Sequence, residues 1–450
     1  MSQEQRFMPR ISRREMLRLT ALTTVGAVAA ACVATGPATT GADSAGSAPA
    51  QEAVEVIATT SMPVNTFDDA LKRAEEKLSG IALEVNANGW GNGGWDGYSD
   101  TLLTRIAGGE QIDVIMIAIE GLGLLSAKKV LVPLDELLAA DPAAADILEN
   151  DVHKTLREML QVGGKQMEYP FSWNNMVMYY NTAIFEEEGI DPPGTDWTWN
   201  DFLEVCTKVA RVSGGADDRF AYSFWGSGMF GMAAWFFNND TSPLTADWSA
   251  SNLLDPKVAE TLQFLADLIL KHKVAPNPEG WDEWAQFHAG NLVMRTCGRW
   301  CISGSLEAKF ETYDLQYQPH SAGPLKTVAG TDGWGISSSS KNPQQAWEVV
   351  KLLSDTDASL DMVKLGGNIP ALRSVAEMSE FAEFGPANTA IFYESLDFAA
   401  TVPSPTNFNI IEPILNRHYA TIWNGEKSVE EALQAAHDEL QPEMEKLQQG

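Results

Sequence analysis

Several of the 14 tryptophans of this chain lie beside glycine, asparagine or phenylalanine where the pattern predicts loops. They are Trp90 and Trp95 around a glycine-rich segment, Trp173 before Asn174, Trp225 before Gly226, Trp300 two places after Gly298, and Trp334 between Gly333 and Gly335. Core aromatics recur at helical spacing or alternate along a strand, so these positions indicate indole faces with open space beside them. A flat apolar face with amide and carboxylate groups nearby is the chemistry that binds a sugar ring. Core packing stays open for each tryptophan, and it is favoured for Trp235 and Trp248.

Carboxylates offer a second kind of chemistry. Hydrolysis of a glycoside needs two of them, roughly 5–10 Å apart across the sugar, and Glu120, Glu168 and Asp332 are plausible members of a cleft. No local motif marks an acid and base couple among the 61 acidic residues. An exported glycoside hydrolase therefore remains an alternative to a binding protein. A polyamine-type binding protein is another, because it would fit the acidic composition.

Motifs of cofactor and metal enzymes are matched superficially or not at all. Residues 89–94 fit G-x-G-x-x-G, but they follow the second predicted strand and two tryptophans crowd them, which argues against a nucleotide. Residues 338–341 fit S-x-x-K without the partner motifs of acyl-enzymes, and we interpret them as a polar turn. The six histidines include no H-E-x-x-H pair. The sequence therefore predicts a protein that is not an enzyme and that has no cofactor and no metal site.

Composition restricts the partners. The 450 residues include 31 Lys and Arg against 61 Asp and Glu, a formal net charge of −30, and such a surface repels nucleic acid. With 44% hydrophobic residues the chain can bury a sizeable core, which excludes a largely disordered protein. The length corresponds to two or three domains or lobes at roughly 150 residues each.

Residues 1–31 have the pattern of an export signal. Arginines between positions 6 and 18 precede an uncharged stretch, residues 19–31, that is too short to span ~30 Å of hydrocarbon. Residues 12–18 resemble a twin-arginine signal, and residues 29–32 resemble a lipobox, which predicts lipidation of Cys32. Cleavage without lipid, or a plain membrane anchor, stays open. Residues 32–53 are then a lipid-anchored flexible tether.

The elements that could position these side chains follow from the periodicity. Short apolar strands are predicted at residues 54–58, 81–85 and 113–117, with helices at 67–78 and 98–107 between them. This alternation predicts a mostly parallel sheet covered on both faces, with ligands in the crevice at the carboxyl ends of its strands. Whether Cys297 and Cys301 pair is left open, because a separation of four in a strand-like run is awkward geometry.

Seven segments share the motifs of one known family. Residues 106–114 are similar to IAxGxxPDV, 178–190 to YYNxxxFxxxGL, 192–202 to PPxTWxEF, 287–300 to FxxGxxAM…GxW, 333–342 to GWaIsxxSKN, 367–373 to GxxPxR and 423–433 to GxxsxeeAL. In this order, behind a lipoprotein-like signal, they are specific. The chain resembles the family 1 extracellular solute-binding proteins, the sugar-capturing components of ABC importers.

The resemblance implies an α/β fold with two lobes, a periplasmic-binding-protein-like clamshell with crossing hinge segments. Lobe one would span residues 54–170 plus 325–369, and lobe two would span residues 171–324 plus 370–450. The protein would be an exported monomer that captures a sugar or oligosaccharide between the lobes. It would then deliver this ligand to the ABC permease subunits in the membrane.

The resemblance also implies roles for particular residues. Trp300 and Trp334 match the stacking aromatics of the family, Trp173 and Asn174 fall just after the first crossover, and Glu120 falls at the position of a ligand-binding acid. No aromatic residue precedes Glu120 where the family often has one, so stacking there would come from Trp90 or Trp95. The predicted ligand site therefore comprises Trp300, Trp334, Trp173, Asn174, Trp225, Glu120, Trp90 and Trp95.

Overall fold

The computed structural model describes residues 53–89, 93–215, 218–321 and 323–448. The predicted signal, Cys32, nearly all of the tether, and Trp90 lie outside the described residues. The strands are β1 Val54–Thr60, β2 Ile81–Ala87, β3 Val114–Ala118, β4 Leu131–Val132, β5 Gln161–Val162, β6 Lys165–Gln166, β7 Tyr169–Asn174, β8 Val177–Asn181, β9 Phe220–Ser223, β10 Leu292–Cys297, β11 Tyr313–Gln316, β12 Thr327–Ser337, β13 Ile369–Pro370 and β14 Ala399–Thr401.

The larger sheet has the order β13–β7–β12–β3–β1–β2, with β4 and β14 paired to β12. β1 runs parallel to β2 and β3, as the alternation of strands and helices predicts. β12 is antiparallel to β3 and β7, and β13 is antiparallel to β7. The prediction of a mostly parallel sheet is therefore wrong for β7, β12 and β13. β12 returns from the smaller sheet and enters the larger one in the opposite direction.

The smaller sheet has the order β11–β8–β10–β9. Its neighbours β9 and β10 are parallel, with Leu292 opposite Phe220, so their carboxyl ends lie at the same edge. The chain passes from the larger to the smaller sheet between β7 and β8, across Asn175 and Met176, and it returns between β11 and β12. Crossing segments of this kind join the two sheets.

Helices surround both sheets. They are α1 Asp68–Lys77, α2 Gly94–Ala107, α3 Ile119–Ala127, α4 Asp135–Ala140, α5 Pro142–Asn150, α6 Lys154–Met159, α7 Thr182–Glu187, α8 Trp199–Val209, α9 Met229–Phe237, α10 Pro256–Leu270, α11 Glu283–His288, α12 Cys301–Ala308, α13 Pro343–Leu353, α14 Thr356–Lys364, α15 Arg373–Ala376, α16 Ser379–Glu383, α17 Ile391–Glu394, α18 Phe408–Trp423 and α19 Val429–Gln448, with 3₁₀ turns at Val64–Phe67 and Ser395–Phe398.

Local signals set several helix starts. Thr198 and Asp201 form a capping box at the start of α8, and Asp255 accepts from the Lys257 N–H where Pro256 opens α10. Among the described residues no helix is both long and apolar enough to cross a membrane. Trp235 is fully buried in α9, which confirms the prediction that it packs in a core.

Candidate functional site

Three aromatic side chains meet at one edge of the smaller sheet. The rings of Trp225 and Trp300 lie 5.6 Å apart between centroids, and those of Phe230 and Trp300 lie 6.0 Å apart. All three are partly buried. We call Trp225, Phe230 and Trp300 the aromatic cluster.

The topology of the smaller sheet explains why these rings meet. Trp225 follows β9 by two residues and Trp300 follows β10 by three. Because β9 and β10 are parallel neighbours, the loops that leave them start at the same edge. Phe230 is added by the first turn of α9, which begins directly after the Trp225 loop.

The turn that carries Trp300 is fixed on both sides. Cys297 at the end of β10 and Cys301 at the start of α12 form a disulfide, which answers the question that the sequence left open. The Arg299 guanidinium donates to the backbone carbonyl of Gly367 at 2.7 Å. Trp300 is therefore presented by a short, bridged turn between a strand and a helix.

A buried ion pair holds the neighbouring indole. Glu283 Oε1 accepts from Trp225 Nε1 at 2.9 Å and from Arg295 Nη2 at 2.8 Å. Arg295 Nη2 also lies 2.9 Å from Cys301 Sγ. The bridged turn, Arg295 and Glu283 therefore form one connected support for Trp225 and Trp300.

Asn174 and Gly330 of the larger sheet lie next to the aromatic cluster. They are paired in register on β7 and β12, and a methyl group built at Gly330 would lie 2.8 Å from Phe230 Cε2. Asn174 is buried, and its Oδ1 has no hydrogen-bond partner within the described chain. A buried amide oxygen without a partner is costly, so it is available to a ligand donor.

Glu120 lies at the carboxyl end of β3, in the first turn of α3. Burial, with smaller contributions from the charges of Glu412 and Asp332, raises the pKa of its carboxyl to about 8. Its Oε2 is buried with no hydrogen-bond partner among the described residues. The carboxyl therefore has bonding capacity that the protein itself does not use.

Glu412 enters the site from α18. Its Oε1 accepts from the Met229 N–H at 2.7 Å, at the start of α9. Burial, with a smaller contribution from Asp96, raises the pKa of Glu412 to about 7 despite this bond. A methyl group built at Gly94 would lie 2.7 Å from Asp96 Oδ1 and 3.4 Å from Glu412 Oε2, so the start of α2 adjoins the same acid.

Asp332 and Glu168 are buried more deeply. Asp332 accepts from Ser172 Oγ at 2.6 Å and from Asn368 Nδ2 at 3.3 Å, and burial raises its pKa to about 7. Glu168 is fully buried, burial raises its pKa well above the ordinary value, and neither carboxyl oxygen has a partner in the described part of the chain. No group of three or more His, Cys, Asp or Glu among the described residues could hold a metal ion.

Two predicted stacking residues lie elsewhere. Trp334 is fully buried inside β12, with its ring 5.5 Å from that of Phe67 and 6.2 Å from that of Phe171. Trp173 is fully buried in β7, edge-on to Tyr393 at 6.2 Å. The prediction of an open indole face is wrong for both residues in this structure.

Gly333 lies beside Trp334 for a different structural reason from the one that the sequence suggested, which was space for a ligand. A methyl group built at Gly333 would lie 2.6 Å from the carbonyl oxygen of Tyr169 on the neighbouring strand. The glycine therefore permits close strand packing and leaves no room for a ligand.

The remaining predicted residues are placed as follows. Trp95 is partly buried in α2, with its ring 5.1 Å from that of Tyr98, and is not part of the aromatic cluster. Trp90 cannot be placed, because it lies outside the described residues. The structure thus brings together Trp225, Trp300 and Asn174 of the predicted set, and Glu120 is linked to them through Glu412, which raises its pKa and bonds to the N–H beside Phe230.

Phe230 and Glu412 were missed by sequence reasoning. Glu412 had a usable signal, because it lies on the same helical face as Phe408 and Leu415, where an acid interrupts an otherwise apolar stripe. Phe230 had none, since its position depends on how α9 packs against β12.

Comparison with known proteins places the chain among binding proteins. A sequence model of the family described as bacterial extracellular solute-binding protein matches residues 71–390. A binding protein of Brucella abortus is 23% identical over 406 residues, which cover 87% of this chain and 93% of that protein. An arabinooligosaccharide-binding protein of Halalkalibacterium halodurans is 26% identical over 175 residues, or 36% of this chain and 37% of that protein.

Solved structures share the fold. An ABC substrate-binding protein from Listeria monocytogenes in complex with cycloalternan superposes with a TM-score of 0.79 at 22% identity, covering 87% of this chain and 99% of that chain. A maltose-bound protein of T. maritima gives 0.74 at 18% identity, with 86% and 99% covered. These likenesses confirm the predicted α/β fold with two domains of the periplasmic-binding-protein type.

Proposed function

The chain belongs to the bacterial extracellular solute-binding proteins, and from that premise we propose that it captures a sugar or oligosaccharide between two lobes and delivers it to the permease of an ABC importer. The family is extracellular, so the protein is exported. Its relatives and its fold are those of binding proteins rather than of enzymes.

The observation that carries the proposal is the aromatic cluster beside buried polar atoms without partners. Trp225 and Trp300 place partly exposed indoles at the edge of the smaller sheet, and Asn174 Oδ1 and Glu120 Oε2 are acceptors without partners in the larger one. A sugar ring matches this combination of apolar indoles and hydrogen-bond acceptors, because its C–H faces are apolar and its hydroxyls need hydrogen bonds. Names of similar proteins support the class, since they include an arabinooligosaccharide-binding protein and proteins bound to cycloalternan and maltose.

A groove of about 600 Å³ runs along α3, lined by Ile119, Gly123, Thr406 and Trp248 among others. Glu120 lies in the same first turn of α3 as Ile119. Within the described residues neither the aromatic cluster nor Asn174 nor Glu120 lines this groove, so the groove is not part of the proposed ligand site.

Lobe closure would couple binding to transport. We propose lobe one as residues 54–170 plus 325–369 and lobe two as residues 171–324 plus 370–450, although the larger sheet takes β14 and most of β7 from the second of these sets. Ligand contacts from both sheets exist together only when the lobes are closed, so a ligand stabilises that state. The closed form of a monomer, tethered through a lipid on Cys32 after twin-arginine export, would then dock on the permease.

Thermal melts of the chain lacking residues 1–31, against mono- and oligosaccharides, amino acids and polyamines, test the proposal. A ligand at 100 times its Kd adds about 2.7 kcal/mol of apparent stability. We expect a saccharide to raise the melting temperature without any product by mass spectrometry. Turnover would instead support a glycoside hydrolase, and a response to polyamines alone would contradict the sugar class.

A matched pair of variants tests the site. Trp300→Ala should weaken saccharide binding by about 5- to 150-fold, from the loss of about 1–3 kcal/mol of stacking. Trp281→Ala is the control, because Trp281 is also partly buried but packs on Phe220 at the opposite end of β9. Equal affinity of both variants and the parent would overturn the placement of the site.

A further inference from the structure

We propose that the solute carries a protonated amine, so that the ligand is an amino sugar whose ammonium group binds between Glu120 and Glu412. This deepens the proposed function and rests on it. The inference concerns the charge of the ligand, which the aromatic cluster alone does not determine.

The first observation is the sign of the charges around the cluster. Glu412 lies against the start of α9, one residue from Phe230, through its bond to the Met229 N–H. Asp96 adjoins Glu412 at Gly94, and Asp332 lies on β12 two residues from Gly330. Carboxylates therefore approach the aromatic cluster from α2, α18 and β12.

The second observation is that no cation of the described chain compensates them. None of the ion pairs among the described residues includes Glu120, Glu412, Asp332 or Asp96, whereas the nearby Arg295 is committed to Glu283. Arg299 donates to backbone carbonyls, including those of Gly367 and Val363. Several acids brought together without a counter-ion leave a site that favours a positive ligand.

The third observation is independent of charge counting. Glu120 is 2% exposed, and its Oε2 has no hydrogen-bond partner within the described residues. An ammonium donates up to three hydrogen bonds and accepts none, so it matches Glu120 Oε2 when the carboxyl, which is protonated in the ligand-free protein, gives up its proton on binding. It would meet Glu120 Oε2 and Glu412 Oε2 together, beside aromatic faces that also favour a cation.

Packing brings the two acids to one place. The first turns of α3 carry Glu120, and a methyl group built at Gly123 of the same helix would lie 3.3 Å from Cα of Thr406. Thr406 lies two residues before α18, which carries Glu412 in its second turn. The two carboxyls are close enough that Glu412 raises the pKa of Glu120.

Calorimetric titration of the mature chain with matched sugar pairs tests the inference. Each pair differs only by an ammonium in place of a hydroxyl: glucosamine and glucose, galactosamine and galactose, and the β-1,4 dimer of glucosamine and cellobiose. We expect the amine of at least one pair to bind at least tenfold more tightly than its neutral partner, and added salt to narrow the difference. Neutral sugars binding as tightly as their amines, or binding alone, would overturn this inference and leave the proposed function intact.

Variants assign the selectivity to the two acids. In Glu120→Gln combined with Glu412→Gln, the preference for the amine over its neutral partner should fall to less than threefold. Glu426→Gln is the control, because Glu426 is exposed and lies outside the site. A preference that survives the double variant would overturn the inference, and melting curves check that the variants are folded. If no sugar of this panel binds, the inference is overturned, and if no saccharide of the thermal-melt panel binds either, the proposed function is overturned as well.

Discussion

Replacing Glu120 by glutamine should stabilise the ligand-free protein, and more at pH 7 than at pH 5. Burial raises the pKa of Glu120 from its ordinary 4.5 to about 8, so the folded protein keeps the carboxyl protonated at neutral pH. The unfolded chain ionises it above pH 4.5. Stability contributed by the protonated form is therefore complete below pH 4.5 and is lost as the pH rises towards 8. Glutamine has nearly the shape of the protonated carboxyl and does not ionise.

The magnitude follows from the two pKa values. Each pH unit between them costs about 1.4 kcal/mol, so ionisation of the unfolded chain costs roughly 3 kcal/mol at pH 7 and under about 1 kcal/mol at pH 5. Glu120→Gln removes this cost at both pH values. The gain in the free energy of unfolding should therefore be about 2–3 kcal/mol larger at pH 7 than at pH 5.

Urea unfolding followed by tryptophan fluorescence measures the difference. The parent, Glu120→Gln and the exposed control Glu426→Gln are compared at both pH values, without ligand. The control should shift by less than about 0.5 kcal/mol at either pH. An equal effect of Glu120→Gln at pH 5 and pH 7 would refute the reasoning, because a carboxyl with an ordinary pKa is ionised in both states of the protein.

Three other substitutions test the packing around the site. Trp334→Ala should lower the free energy of unfolding by about 3–5 kcal/mol through a cavity in the core, measured by urea unfolding; a stable variant with weakened ligand binding would restore its predicted stacking role. Loss of the Cys297–Cys301 disulfide, by reduction or in Cys301→Ser, should lower the free energy of unfolding by about 2 kcal/mol, because the bridged loop is short. Equal melting temperatures of the parent with and without dithiothreitol would contradict this. In Gly226→Ala the new methyl group would overlap Pro278, so thermal melts should show a loss of about 1–3 kcal/mol, and an unchanged melting temperature would argue against the close approach.

The sequence determined the fold through features that act locally. Apolar strands at residues 54–58 and 81–85 alternate with an amphipathic helix, and the structure has β1, α1 and β2 at these places within a few residues. The motif order predicted the family and the α/β fold, and both are confirmed. It could not predict that β12 runs antiparallel, because that direction depends on where the chain returns from the other sheet.

The site divides in the same way. Trp300 and Trp225 were predicted from loop glycines, and they meet because β9 and β10 are parallel neighbours. Trp334 has the same sequence signal, yet it is core, because Gly333 lets neighbouring strands approach closely. A glycine beside a tryptophan permits either a ligand or another strand to approach, and the one-dimensional pattern does not distinguish them.

The tertiary structure alone places Glu412 and Phe230 in the site. Residue types and periodicity specify which face of a helix is apolar, but not which residues from distant segments meet at that face. The packing of α18 and α9 brings an acid from position 412 to a backbone N–H at position 229. The sequence thus supplied the elements and the chemistry of the side chains, and the contacts between remote segments decided which of these side chains share a site.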